Sequence, residues 1–259
     1  LNYIGLETLN LLGGTTNYNF EITNPLGVSL TKINASNVPA DLILDVSEST
    51  SEKSINLGSG NDILALGDSL VEAPASDSIH GGDGLDKLLI TFAGAITAAP
   101  NLSSFESVDL SVNGDSILDF SHVSDLDTIN ILESSAGVSL TNIPYDLTKF
   151  NISGSQTGIW SFGFEDNSDS TIDLNWSNNT GASVALTSLA FNEVQSSSII
   201  FDGANEVVLA ALALDPDDTT LTSITNIGDG NLEISTAANI DTLDAVTAIS
   251  LTTTEGGDI

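Results

Sequence analysis

Short runs in which apolar and polar residues alternate recur along the chain, each bounded by Gly, Asn, Asp or Ser. Val108-Asp109-Leu110, Val138-Ser139-Leu140 and Phe150-Asn151-Ile152 put their apolar side chains on one face of an extended segment, because successive side chains of a strand point to opposite sides. Helical spacing is scarce. The one helix-tolerant stretch, Glu206 to Leu214, opens on Val207-Val208-Leu209, which suits a strand. The pattern predicts an all-β chain of many short strands and turns.

The alternating runs also repeat. Phe105, Val108 and Leu110 recur as Leu126, Ile129 and Ile131 and again as Leu147, Phe150 and Ile152, at a spacing of 21 residues. Ile117, Val138 and Ile159 keep the same step, and Thr171-Ile172-Asp173-Leu174 continues it one residue out of phase, with Leu243-Asp244-Ala245-Val246 as a later echo. Leu6-Glu-Thr-Leu9-Asn-Leu11 has the form of the 105–110 phrase, and Gly27-Val-Ser-Leu-Thr-Lys-Ile33 reappears as Gly137-Val-Ser-Leu-Thr-Asn-Ile143. A period of this length reads as one coil of a parallel β-solenoid, in which each coil covers its neighbour's apolar face. β-sandwich domains with evenly spaced strands are the alternative.

Composition narrows the chemistry. The 259 residues, 41% apolar with a mean hydropathy of +0.18, are enough to bury a core. Four lysines (Lys32, Lys53, Lys87, Lys149) and no arginine stand against 36 acids, a net charge of −32. Clustered cations for nucleic-acid or anionic-membrane binding are absent, and so are Arg/Lys clamps for phosphoryl transfer. No cysteine is present, which excludes thiolate chemistry and disulfides. No apolar run is long enough to span a membrane. The chain opens at Leu1 without a leader-like segment and is expected to be part of a longer protein. Self-repulsion of this size calls for gathered cations, as a diffuse atmosphere or as bound divalent ions, and hard cations with oxygen ligands are the natural candidates.

Residues 54–92 carry the most specific signal. His80-Gly81-Gly82-Asp83-Gly84-Leu85-Asp86-Lys87-Leu88 contains the full Gly-Gly-x-Gly-x-Asp-x-Leu phrase of calcium-binding β-rolls, and Leu57-Gly58-Ser59-Gly60-Asn61-Asp62-Ile63-Leu64 repeats it with Leu for the first Gly. Gly60 and Gly84 lie 24 residues apart, close to a coil length, so the two loops are expected to stack. Gly58, Gly60, Gly82 and Gly84 let the backbone turn its carbonyls inward, while Asp62 and Asp86 supply carboxylates to a Ca2+ ion. Asn61, Asp83, Asp68 and Asp77 are further candidate ligands, and Leu64 and Leu88 plug the core. The bland reading is that Gly-x-Gly-x-Asp marks a turn and nothing more. Glu255-Gly256-Gly257-Asp258-Ile259 has the form of a third motif cut short.

These two phrases, beside the 6–11 and 105–110 coils, make the chain resemble bacterial surface-layer proteins and related RTX proteins exported by type I secretion. The resemblance implies a Cys-free, acidic, calcium-requiring β-solenoid at the cell surface that assembles with copies of itself into a layer and is not an enzyme. On this reading one segment divides into solenoid coils over 1–53, calcium-binding coils over 54–92 and further coils over 93–259. Two nonapeptides replace the family's long tandem array, and no secretion signal or anchor is recognisable.

The alternatives rest on weaker features. Trp160, Phe162, Phe164 and Trp176 are the one aromatic cluster, expected in the core, or else a sugar-stacking platform of an adhesin that binds cell-surface glycan or lipopolysaccharide. Carboxylate pairs for a polysaccharide-active enzyme could be drawn from Asp215, Asp217 and Asp218 or from Glu165, Asp166 and Asp169, yet with 36 acids any pair can be found. Asp215-Pro216-Asp217-Asp218 reads better as an acidic turn or a lattice-contact calcium site. His80 and His122 fall in no catalytic arrangement.

Overall fold

The computed structural model describes residues 5–13, 19–49, 51–71, 77–132, 134–165, 171–176, 183–194, 196–202, 206–213, 221–227, 231–234 and 248–254. Every strand pairing among them is parallel and joins segments about one coil apart, which makes the fold a β-solenoid and excludes a sandwich. No helix among the described residues is long and apolar enough to cross a membrane.

Three sheets wrap the stack. A continuous sheet of 11 strands runs its whole length, from Phe20–Ile22 to Ala248–Thr254. An N-terminal sheet of 5 strands, Thr8–Asn10 to Leu102–Ser103, flanks its first coils. A C-terminal sheet of 8 strands, which begins at Thr97–Ala98, flanks the later ones. The coil holding residues 97–119 has strands in all three.

Alternation decides what is buried. In Ser107–Val112, Val108, Leu110 and Val112 point inward and Ser107, Asp109 and Ser111 outward. Stacked coils put like on like, so Leu64, Leu88, Val108, Ile129, Phe150 and Leu174 form one inward column, each at most 1% exposed. Each such side chain contributes roughly 1.5–3 kcal/mol relative to exposure. The outward column is tied by side-chain bonds: Asn151 Nδ2 donates to Asn130 Oδ1 (2.9 Å), Asn130 Nδ2 to Asp109 Oδ1 (2.6 Å), and Lys87 Nζ pairs with Asp109 Oδ2 (3.1 Å).

The 21-residue step holds where Val108 pairs with Ile129 and Ile129 with Phe150, but coils elsewhere run from 20 to 29 residues. Four expectations change as a result. Phe150 pairs with Leu174, two residues beyond Ile172, the partner that the repeat implies. Over these coils the C-terminal sheet steps by 22, pairing Ser116 with Val138 and Val138 with Trp160, so Ile117, Val138 and Ile159 are out of register. Val138 is buried while Ile117 and Ile159 are 43% and 60% exposed. The two look-alike phrases are not structural copies either. Leu9 pairs with Ile33 in the N-terminal sheet, whereas 105–110 enters the continuous one. Lys32 and Ile33 lie in the N-terminal sheet, whereas Val138–Ile143 lies in the C-terminal one. Glu206–Leu209 and Leu212–Ala213 are strands, and 243–246 lies outside the described residues.

The candidate cation site at the stacked glycine corners

Both nonapeptides are corners that carry the chain from the N-terminal sheet to the continuous one. Leu57 to Asp62 joins Ser54–Asn56 to Ile63–Leu66, and Gly81 to Asp86 joins Ser78–His80 to Lys87–Phe92. Asn56 pairs with His80 and Ile63 with Lys87, both 24 residues on, so the corners stack directly.

Close stacking is what demands glycine. Gly82 (φ +111°) and Gly84 (φ +136°) hold conformations that L side chains avoid, and a Cβ at either would fall inside the van der Waals radius of a carbonyl oxygen on the coil beneath, Gly58 O and Gly60 O respectively.

The aspartates form a ladder. In each case a carboxylate accepts from a backbone N–H one coil earlier: Leu42 N donates to Asp62 Oδ1 (2.8 Å), Asp62 N to Asp86 Oδ1 (2.7 Å), and Asp86 N to Glu106 Oε2 (2.5 Å). These N–H groups would otherwise be orphaned, which costs about 1–3 kcal/mol apiece. Gly58 N donates to Asp62 Oδ2 (3.2 Å), so both oxygens of Asp62 are engaged. A parallel outer ladder runs from Leu85 N to Asn61 Oδ1 (2.9 Å) and from Asn61 N to Asp41 Oδ1 (2.8 Å). Asp83 is exposed and donates its backbone N–H to Gly58 O (2.9 Å).

Asp68 and Asp77 are not brought to the corners. Asp68 follows the strand that Asp62 precedes and accepts from Ala93 N (2.7 Å). Asp77 lies at the far end of Ser78–His80 and accepts from Lys53 N (2.5 Å). His80 Nδ1 sits 2.9 Å from Ser103 Oγ. Glu106 and Asp41, which the motif does not contain, complete the ladders. Their signal was spacing, because Glu106 follows Asp86 by the 20 residues that separate Leu42 from Asp62.

One buried carboxylate oxygen at these corners lacks a protein partner. Asp86 is 1% exposed and its Oδ2 is buried without a hydrogen-bond partner. Burial pushes this carboxyl up to about 7, with the charges of Asp62, Glu106 and Asp41 adding to the rise and the Asp62 N–H opposing it. Burial likewise raises Asp62 and Asp77. No group of three or more His, Asp or Glu side chains among the described residues converges as a metal cluster. Asp86 Oδ2 is thus the candidate ligand atom for a hard cation, which would neutralise a buried charge there.

The same atom predicts a pH dependence. Without a cation the folded state keeps a proton on Asp86 that the unfolded chain has already released, so stability is greatest below about pH 4 and is lost as pH rises to about 7. Asp62 and Asp77 act in the same direction. Asp119 opposes them, since hydrogen bonds from Asn142 and Ser121 outweigh its burial and lower it. Asp86→Asn, which mimics the neutral form, is expected to remove roughly 2–4 kcal/mol of the fall between pH 4 and 8 in urea titrations made in EGTA. An unchanged slope would place the proton elsewhere.

Three of the four clustered aromatic residues are core. Trp160 and Phe162 are 0% exposed and Phe164 4%; Phe162 meets Phe150 edge-on at 5.3 Å and stacks on Phe191 at 5.9 Å. Trp176 pairs with Ile152 through its backbone. Asp166, Asp169, Asp215, Asp217, Asp218 and the 255–259 phrase lie outside the described residues. No protein-family model, curated protein or solved structure matches this chain.

Proposed function

We propose that this chain is a structural segment of an extracellular surface layer, a β-solenoid stiffened by Ca2+ and assembling with copies of itself. The observation that carries the reading is the buried, unpartnered Asp86 Oδ2 at stacked glycine corners in a chain of net charge −32. A cation there binds the folded state alone and stabilises it by mass action. The absence of cysteine and arginine suits the same reading. The adhesin alternative loses its sugar platform, because Trp160, Phe162 and Phe164 are buried.

The test is a melting curve in millimolar Ca2+ and in EGTA, with electron microscopy of both samples. Saturation to 100 times Kd is worth about 2.7 kcal/mol, or about 5–10 °C for a chain of this size, and ordered sheets or filaments are expected only with calcium. Asp62→Ala with Asp86→Ala is expected to lose the calcium-induced rise while the 105–152 coils stay folded. Equal stabilisation of this variant by calcium would remove the ion assignment.

A further inference from the structure

Part of the outward face of the continuous sheet carries balanced charge. Over six of its 11 strands, Leu42–Asp45, Ile63–Leu66, Lys87–Phe92, Ser107–Val112, Thr128–Ile131 and Lys149–Ile152, the outward charges are Asp45, Asp109, Lys87 and Lys149, which sum to zero. Two of the four lysines of a −32 chain share one column of this face, in the register Lys87, Ser107, Thr128, Lys149. Acids resume at both ends, where Glu21 pairs with Ile43 and Asp173 with Lys149. The groove holding Asp125, Asp127, Asp146 and Glu165, by contrast, is acidic.

The neutral face is also apolar at one end. Ile43 pairs with Ile63 and Ala65 with Leu89, and all four side chains point out of the sheet, half-buried. A parallel sheet normally has both faces covered, and here nothing in the chain's described residues covers this one.

We infer that this face docks against the same face of a second copy, an inference that rests on the self-assembly reading above. Two chains of charge −32 repel wherever acids meet, and this face carries both signs, so a copy of itself can set opposite charges against each other. Six strands span about 29 Å by about 17 Å, so pairing buries about 500 Å² per copy and about 1,000 Å² in all, the lower bound for a specific interface. A two-fold axis along the strand direction, between Lys87–Phe92 and Ser107–Val112, sets Lys87 of each copy against the strand of the other that carries Asp109. It likewise sets Lys149 against the strand that carries Asp45. Both oppositely charged pairs then occur twice, as an isologous contact requires.

The experiment is sedimentation equilibrium of the purified chain from 1 to 100 µM in calcium at physiological salt. The wild-type chain is expected to dimerise with a Kd on the order of 10 µM, given the modest area. Ile63→Glu and Leu89→Glu place acids in the centre of the face without entering the core, and each is expected to weaken the dimer at least tenfold at an unchanged melting temperature. Ala185→Glu, exposed on the C-terminal sheet, is expected to leave it intact. Lys149→Asp is expected to weaken the dimer, and adding Asp45→Lys to the same chain to restore it. A wild-type monomer at 100 µM, variants that dimerise normally, or a gain of mass only on adding cell-surface polysaccharide would each overturn the inference, the last by making glycan the occupant. Ordered calcium-dependent assemblies that survive Ile63→Glu would overturn this face alone and leave the surface-layer reading standing.

Discussion

Gly82→Ala is expected to lower the stability of the coils around residues 54–92 by about 3–5 kcal/mol, combining a left-handed backbone that a Cβ strains with an overlap that forces adjacent coils apart. At Gly82 the backbone has φ +111°, and the obstructing atom, Gly58 O, belongs to the main chain and cannot swing aside. Gly94→Ala is the control: a Cβ there meets nothing within 4 Å, so the substitution should stay within about 0.5 kcal/mol. Because a solenoid's stability is local to neighbouring coils, amide hydrogen exchange is the suitable readout. Loss of protection confined to residues 54–110 is expected for Gly82→Ala. A change below about 1 kcal/mol would mean that the corners are loosely stacked, and would weaken the cation site built on them.

Trp160→Ala is the second large effect, about 3–5 kcal/mol for removing a fully buried Trp. The ring is 0% exposed, lies 6.4 Å from Phe162, and its Nε1 donates to Thr157 O (3.0 Å). Equilibrium denaturation should show the loss with no change in glycan retention on a polysaccharide column. A variant of unchanged stability that lost glycan retention would return this strand to the role of a binding platform.

How much of this was legible in the sequence depends on what a repeat can record. The all-β solenoid was readable, because Val108, Ile129 and Phe150 stack in successive coils at the step their spacing implies. The look-alike phrases at 6–11 and 27–33 misled because similarity records local alternation, which any strand of any sheet satisfies, while the sheet a strand joins depends on corner lengths that vary between coils. Ile117, Val138 and Ile159 misled for the same reason, since one residue of phase exchanges the inner face for the outer. At the corners the glycines and aspartates were readable as a motif. What Asp62 and Asp86 do for the fold was not, because their partners, Leu42 N and Glu106, lie a coil away and outside the phrase.

The uninterrupted parallel stack has a mechanical consequence. Tension applied along its axis loads the hydrogen bonds between coils one row at a time, so the end coil peels off while the rest stay intact. A coil of 20 to 29 residues releases about 70–100 Å of contour when it extends. Such a rod is weak but extensible lengthwise. A sheet woven from these rods has to carry load sideways, through the flat sides where neighbours meet.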